Sequence, residues 1–377
     1  MGGIRILLAA GTLVLLAATA HALTGGEVRV TSNPADQIDP AISGTRVVYT
    51  DARNGNKDIF LYDLVARTET NLTPGTPNDQ YLDDISGARV VYTNVAATAN
   101  DIILLDLATS MSTSLTSGGN NYSPAIDGDH VVWVRASGTV ANVMHADLTT
   151  WTIKPVTANP PAVDSPRVDG EWVVWEEAVA GVRQVRAFHL PTAESRTLTA
   201  GTVDHRWPDV SGTTVVWADA SAGNWNIFAY DLTTGAVQRV TKNAADQQFP
   251  RISGRRVVWE DRRSGVSQIW TMDLDLGVEE PVSPSTSGQV LNAIDGGRIV
   301  WTEARYGDFD IFLFTVAGAP APFCGDGLCN GAETCGTCPA DCGACPPVCG
   351  DGACNGAETC GTCPADCGVC PPACGDG

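Results

Sequence analysis

Side chains able to carry out catalysis are few in this sequence of 377 residues. After residue 22 it contains four histidines, which fall at four different positions of the repeat described below: His130, His145, His189 and His205. A histidine-bound metal needs several ligands that converge on one point, and these different positions do not favour convergence. The sequence also lacks the Gly-x-Ser-x-Gly motif of serine hydrolases. We therefore predict no catalytic residue and interpret the histidines as surface or rim residues.

Cysteines are confined to the C-terminal part of the chain. All 13 lie after residue 323, in two nearly identical units of 25 residues and the start of a third. Units this small cannot bury a sufficient apolar core and need cross-links. Six cysteines per unit predict three disulfides in each, whereas the Cys-x-x-Cys spacing leaves zinc as the alternative. The cysteines of the two complete units are Cys324, Cys329, Cys335, Cys338, Cys342, Cys345, Cys349, Cys354, Cys360, Cys363, Cys367 and Cys370.

The same cysteine-rich units contain candidate calcium ligands. Clustered carboxylates in a small extracellular module are typical of calcium sites, and this is the one cofactor that the sequence suggests. The alternative is that the carboxylates cap turns beside the glycines. The candidate ligands are Asp326, Glu333 and Asp341 in the first unit and Asp351, Glu358 and Asp366 in the second.

A phrase close to Pro-x-Ile-Ser-Gly-x-x-Val-Val-Trp occurs seven times, at intervals of 41 to 43 residues. A period of about 40–45 residues, built from short strands and turns, is typical of a β-propeller with four strands per repeat. The β-branched and aromatic residues after the turn predict a buried second strand. We therefore predict an all-β, seven-bladed β-propeller. The repeat glycines are Gly44, Gly87, Gly128, Gly170, Gly212, Gly254 and Gly296.

The N-terminal segment of the propeller is predicted to close the ring. A Leu/Val-Thr ending marks the fourth strand of most repeats, but the last repeat lacks it and the segment Val28–Thr31 carries it instead. We expect this segment to form the outer strand of the last blade, which leaves no blade with an unpaired edge. An open solenoid of the same repeats is the alternative, but it leaves the additional strand without a place.

Loops before the first strands are the predicted ligand-binding site. They are longer and more variable than the uniform Ser-Gly turns on the other face, and we expect them to rim the central channel. Variable loops on a rigid scaffold favour binding, with plain solvated loops as the alternative. The candidate ligand-binding residues are Asp36, Gln37, Asp79, Gln80, Asp204, His205, Asp246 and Gln247.

Two further acidic patterns repeat. An aspartate that ends the third strand, such as Asp231, is interpreted as a cap on the following turn rather than as part of a ring of carboxylates. Acidic residues two positions before an arginine, as in Asp51 and Arg53, are interpreted as exposed ion pairs worth about 0–1 kcal/mol.

Residues 1–22 have the features of a secretory signal peptide: Arg5, an apolar stretch and the Ala20-His21-Ala22 cleavage site. An uncleaved anchor is the alternative. We divide the remainder into a propeller at 23–317, a linker at 318–323 and cysteine-rich repeats at 324–377. The net charge of −20 argues against nucleic acid as a partner. No stretch after residue 22 reads as a transmembrane span.

The repeat resembles the TolB-like propeller family, in the version found in microbial cell-surface proteins. The resemblance rests on the Val-Val-Trp strand, the Asp-x-Arg-x-Gly hairpin and the third strand Asp58–Leu64, and it covers residues 27–316. Ile-Ser-Gly replaces the family's Ser-Pro-Asp-Gly turn and the N-terminal α/β domain of TolB is missing, which argues against a role in the Tol–Pal system. The tail is similar to the cysteine-rich repeats of exported myxobacterial surface proteins.

These features together predict an exported, monomeric, non-catalytic binding protein, secreted or at the cell surface, with the periplasm as the alternative location. Its partner is expected to be a protein or a glycan of the cell envelope. The alternative function is a carbohydrate-active enzyme such as a polysaccharide lyase, because some seven-bladed relatives are lyases with a histidine-bound metal.

We expect the two complete tail units, Cys324–Cys370, to hold six disulfides and no free thiol. Mass spectrometry of the exported protein with and without reductant checks this, and the melting of the cysteine-free region 23–317 serves as the control, since reductant should leave it unchanged. Free thiols throughout, or stoichiometric zinc, would contradict the disulfide assignment.

Overall fold

Residues 23–317 are described by the computed structural model, and they contain 28 β-strands and no helix. After β1 (Gly25–Arg29), the strands form six antiparallel groups of four and a last group of three, which β1 completes. We call these groups units 1 to 7. The all-β class predicted from the sequence is confirmed.

Units 1 to 3 follow β1 directly. Unit 1 consists of β2 (Gln37–Ser43), β3 (Arg46–Asp51), β4 (Asp58–Asp63) and β5 (Thr68–Asn71). Unit 2 consists of β6 (Asp79–Ser86), β7 (Arg89–Val95), β8 (Asn100–Asp106) and β9 (Met111–Ser114). Unit 3 consists of β10 (Asn120–Asp127), β11 (His130–Ser137), β12 (Val140–Asp147) and β13 (Thr152–Pro155). A single parallel pair, Asn100 with Asn120, joins units 2 and 3 into one eight-stranded sheet.

Units 4 to 7 repeat the same order. Unit 4 consists of β14 (Val163–Asp169), β15 (Trp172–Val179), β16 (Val182–His189) and β17 (Glu194–Thr197). Unit 5 consists of β18 (His205–Ser211), β19 (Thr214–Asp219), β20 (Asn226–Asp231) and β21 (Val237–Arg239). Unit 6 consists of β22 (Gln247–Ser253), β23 (Arg256–Asp261), β24 (Gln268–Asp273) and β25 (Glu279–Pro281). Unit 7 consists of β26 (Gln289–Asp295), β27 (Arg298–Glu303), β28 (Asp310–Val316) and β1.

The second strand of each unit is buried on both faces. In β3, Val48 packs with Leu82 of unit 2, whereas the adjacent Val47 and Tyr49 pack with Ile311 of unit 7. Side chains alternate between the two faces of a strand, and here each face meets a neighbouring unit. This explains why the sequence shows a continuous apolar run rather than alternation of apolar and polar residues.

Neighbouring units contact one another through their first strands. These strands follow in cyclic order from β2 to β26, and β26 in turn contacts β2. Each first strand contains a register shift against its second strand, and in six units a residue at the shift has a φ between 50° and 57°, as at Asp39 and Trp207. Such β-bulges bend a strand and increase its twist. The shift also changes which of the following side chains face the centre.

The N-terminal strand completes the last unit, as the sequence predicts. Strand β1 pairs with β28 in antiparallel register, from Gly25 opposite Val316 to Arg29 opposite Phe312. The Thr31 hydroxyl accepts a hydrogen bond of 2.8 Å from the backbone NH of Ile311. In five other units, the hydroxyl of the Thr that follows the fourth strand accepts the equivalent backbone hydrogen bond, at 2.8–3.0 Å. Thr31 therefore occupies the position that the repeat predicts for it.

Several predictions concern residues outside the described range. The signal peptide, the linker, the cysteine pairing and the calcium ligands all lie in 1–22 or 318–377 and stay predictions. Within residues 23–317, no helix is long and apolar enough to cross a membrane.

Deleting residues 27–32 should lower the melting temperature by roughly 10 °C or more, because it exposes the apolar edge of β28 and removes Glu27, which binds Arg305 at 2.6 Å. Calorimetry of the purified protein measures this change. A variant with the same six residues replaced by a Gly-Ser segment keeps the chain length and separates lost pairing from lost length. Unchanged melting of the deletion variant would show that β1 does not hold the ring closed.

Candidate ligand-binding channel

A cavity of about 830 Å³ lies at the centre, lined by the first strands and by the turns that follow them. The residue three positions before the repeat glycine, which we call the channel position, differs sharply between units. It is alanine in three units and charged in four, and all of these residues except Ala125 line the cavity. The seven residues are Ala41, Asp84, Ala125, Arg167, Asp209, Arg251 and Ala293.

The arginines of the channel position form no ion pair within residues 23–317, although the carboxylates of Asp209 and Asp84 lie close enough to stabilise their charge. Arg167 and Arg251 each donate a hydrogen bond of 3.3 Å to the carbonyl oxygen of the preceding proline. Neither guanidinium forms an ion pair with any carboxylate of residues 23–317. Burial, followed by repulsion from Arg167, lowers the pKa of Arg251 to about 10. The cavity therefore holds two neighbouring guanidinium groups whose donors are largely unused.

Two carboxylates face the cavity from units 1 and 2. Asp39 forms no hydrogen bond with the described residues, and Asp83 accepts one of 2.7 Å from the Thr93 hydroxyl. Burial raises the pKa of Asp83 to about 8, although Thr93 and the charge of Arg167 lower it and Asp39 adds a further rise. Burial also raises the pKa of Asp39, against a lowering by Lys57. Both side chains are available to a ligand.

The two carboxylates of the channel position connect units instead. Asp84 accepts the backbone NH of Ile126 at 3.0 Å, and Asp209 accepts that of Ile252 at 2.9 Å, in each case in the following unit. Burial raises the pKa of Asp84 to about 6 and also raises the pKa of Asp209. These acids are fixed by the backbone, so they keep a constant position beside the arginines.

A ring of hydrogen bonds surrounds one mouth of the cavity. The residue before each repeat glycine is serine or aspartate, and its side chain accepts the NH of the repeat glycine in the following unit at 2.5–3.0 Å. The seventh bond runs from Gly44 to Asp295 and closes the cycle. The glycines have φ of 51–57°, a conformation that favours glycine. The acceptors are Ser43, Ser86, Asp127, Asp169, Ser211, Ser253 and Asp295.

The loop aspartates predicted to bind a ligand lie at the other end of the first strands, outside the cavity lining. Their carboxylates accept backbone NH groups of the preceding unit at 2.8–3.1 Å. The pairs are Asp36 with Phe309, Asp79 with Lys57, Asp204 with Arg183 and Asp246 with Trp225. In the structure these residues hold neighbouring units together, and a contact with a ligand stays a prediction.

The residues that follow these aspartates are buried. Gln37 and Gln247 are 0% exposed and Gln80 is 1% exposed, and their side-chain amides donate to carbonyl oxygens of the preceding loop. His205 takes the same place in unit 5 and lies 3.1 Å from a carboxylate oxygen of Asp219. None of the four lines the cavity. The structure thus brings none of the eight predicted residues to the channel centre.

The histidines are not all apart. His130 and His145 face each other across β11 and β12, with Nδ1 and Nε2 3.0 Å apart. Burial, then the neighbouring His130, lowers the pKa of His145 to about 4. Two histidines at different repeat positions therefore do come into contact within unit 3. No group of three His, Cys, Asp or Glu side chains within residues 23–317 is placed to hold a metal ion.

The repeated acidic patterns are now explained. Asp231 accepts the backbone NH groups of Thr233 and Thr234, which confirms the turn-cap interpretation. The interpretation of the Asp-x-Arg pairs as exposed is wrong, because the carboxylates of Asp51, Asp261 and Glu303 are 0% exposed. Each arginine also stacks on an aromatic ring of the third strand, as Arg263 does on Trp270 at 3.6 Å.

Comparison with solved structures identifies the fold. An oligogalacturonate lyase in complex with manganese superposes with a TM-score of 0.60 and 12% identity, covering 79% of this chain and 95% of that one. The β-propeller domain of the Trilobed protease from Pyrococcus furiosus gives a TM-score of 0.61 and 12% identity, covering 74% and 93%. TolB from Acinetobacter baumannii gives 0.45 and 17%, covering 74% and 79%. No family model and no curated protein matches the chain.

The predicted β-propeller fold is therefore confirmed. Identities of 12% show the shared fold and nothing of activity. The Trilobed protease domain has an open velcro topology, whereas here β1 pairs with β28.

Replacing Asp83 by Asn should change how stability depends on pH. A carboxyl group with a folded-state pKa near 8, and its ordinary value when unfolded, makes the native protein less stable as pH rises from about 4 to about 8. The variant lacks this loss. As pH rises across that window, the free energy of unfolding of the variant should increase relative to that of the wild type by about 1 kcal/mol or more, since one pKa unit corresponds to about 1.4 kcal/mol.

Urea unfolding at several pH values measures this difference. The exposed Asp308, changed to Asn, is the matched control and should follow the wild type at every pH. A constant offset between the Asp83→Asn variant and the wild type would show that Asp83 titrates normally.

Proposed function

We propose that the chain is an exported, non-catalytic binding protein whose ligand site is the central channel. The observation that carries the proposal is the pair Arg167 and Arg251, which line a cavity of about 830 Å³ and form no ion pair within residues 23–317. Burying charge without a partner costs free energy. A core built only for stability needs no such groups, as the alanines of units 1, 3 and 7 illustrate.

The scaffold suits recognition by fixed charges. The side chains of the channel project from strands, and the ring of turn hydrogen bonds fixes these strands relative to one another. Sites built on rigid elements hold their groups more closely than sites on loops. The cavity volume also falls within the roughly 300–1,000 Å³ of ligand pockets in general.

The remaining parts of the proposal come from the sequence. We take units 1 to 7 as the blades of a closed seven-bladed propeller, carried by an exported and monomeric chain at the cell surface, in the extracellular space or in the periplasm. Disulfides stabilise the cysteine-rich tail, and calcium is its candidate cofactor. The expected partner is a protein or glycan of the cell envelope.

Binding to immobilised polygalacturonate, alginate, peptidoglycan fragments and a panel of short peptides tests the channel as the site. The double variant Arg167→Gln/Arg251→Gln should lose binding at least tenfold, because charge-assisted hydrogen bonds from two guanidiniums disappear. Arg67→Gln/Arg135→Gln is the matched control, since both of these arginines are exposed and the double change removes the same two positive charges.

Two outcomes would contradict the proposal. Equal binding by the double variant and the wild type would place the site elsewhere. Release of unsaturated uronates from either polyuronide, lost in the double variant, would make the channel an active site and the protein a polysaccharide lyase.

A further inference from the structure

The charges of the channel are divided by position around the ring. Units 1 and 2 contribute Asp39 and Asp83, whose carboxylates are open to the cavity. Units 4 and 6 contribute Arg167 and Arg251. Units 3 and 7 lie between these two sectors and carry alanine at the channel position. Unit 5, between the two arginines, contributes Asp209, whose carboxylate attracts both guanidiniums and accepts the NH of Ile252. An acidic sector therefore faces a sector of two arginines and one hydrogen-bonded aspartate, with a neutral unit on each side.

Each sector contains a pair of like charges. Asp39 raises the pKa of Asp83, and Arg167 lowers that of Arg251, so the two like groups of each pair repel each other. The carboxylates of Asp209 and Asp84 offset part of the repulsion at Arg251, and Arg167 offsets part of that at Asp83. Direct ion pairs between the two sectors would relieve both repulsions. No such pair forms: the carboxylates of Asp39 and Asp83 are not within ion-pair distance of either guanidinium. The space between the sectors is the cavity itself.

The other charged groups nearby are already bound. Asp84 and Asp209 accept backbone NH groups of the following unit, and Glu260 accepts the NH of Leu291 and the hydroxyl of Ser267. At the mouth, Asp127 and Asp169 accept NH groups of repeat glycines. The groups left for a ligand are thus two guanidiniums on one side and the carboxyl groups of Asp39 and Asp83 on the other. Because the pKa of Asp83 is about 8, its ionisation near neutral pH is coupled to the arrival of a cation.

We infer that the channel binds a small zwitterion of the amino-acid or short-peptide class, with its carboxylate between Arg167 and Arg251 and its ammonium group between Asp39 and Asp83. Two guanidiniums offer paired donors that match a carboxylate, and an ammonium group offers three donors to the opposing acids. One ligand with both charges relieves both repulsions at once. A purely anionic or purely cationic ligand relieves one and leaves the other.

This inference rests on the proposed function, in which the channel is the ligand site. It requires that both the carboxylate and the ammonium group of the ligand contribute to binding. The probes are the twenty free amino acids and oligoglycines of two to five residues, whose charge separation increases with length. Titration calorimetry should detect binding of at least one of them. N-acetylation, which removes the ammonium charge, and C-amidation, which removes the carboxylate, should each weaken the best probe tenfold or more.

Substitutions assign the two ends. Arg251→Gln should weaken binding of the intact probe but have little further effect on the amidated probe, because both changes remove the contact with the ligand's carboxylate. Asp39→Asn should weaken binding of the intact probe but have little further effect on the acetylated probe, because both changes remove the contact with the ligand's ammonium group. Arg135→Gln and Asp308→Asn are the matched controls and should leave all affinities unchanged. Circular dichroism confirms that each variant is folded.

Other results separate this inference from the proposed function. No binding by any zwitterion, or equal binding by the blocked and intact probes, would overturn the zwitterion. If a polyuronide or another probe of a single charge sign then binds in a manner sensitive to Arg167→Gln/Arg251→Gln, the channel remains the site and only the ligand class is wrong. If no probe distinguishes the channel variants from their controls, both conclusions fall together.

Discussion

The hydrogen bond from each repeat glycine to the serine or aspartate of the preceding unit is the interaction on which the architecture depends. A glycine NH at a φ of 51–57° points out of its own turn and needs an acceptor, and the preceding unit supplies one. Each such bond contributes about 0.5–1.5 kcal/mol. Their larger effect is geometric, because seven bonds of 2.5–3.0 Å fix the spacing of seven first strands.

Once the strands are fixed in this way, the channel position is free to vary. The two side chains that follow it are committed, since Ile42 and its equivalents pack between units and Ser43 and its equivalents accept the glycine NH. The channel position itself varies more, since alanine, aspartate and arginine all occur there and six of the seven residues line the cavity. Asp84 and Asp209 also bind the backbone of the following unit, so at these two positions the same side chain serves both the channel and the stability of the ring.

Sequence periodicity predicted the strands, their order and the N-terminal outer strand, because each depends on local pattern and on the count of repeats. It did not identify Arg167 and Arg251, although charge at a position that is alanine in three other units was a visible signal. The bulge in each first strand interrupts the alternation of side chains between the two faces. Simple alternation therefore does not predict that Arg167 and Arg251 face the cavity. The backbone partners of the loop aspartates could not be predicted from local pattern, because they lie in the preceding unit, 22 residues earlier for Asp79 and Lys57.

The place where the chain closes has a consequence for the size of the ring. The seam runs through the sheet of unit 7, between β1 and β28, and not through a junction between two units. Gain or loss of a whole repeat elsewhere in the gene would leave that seam intact, since both of its strands stay in place. A chain built in this way could thus gain or lose a whole unit while its ring still closes on the same pair of strands.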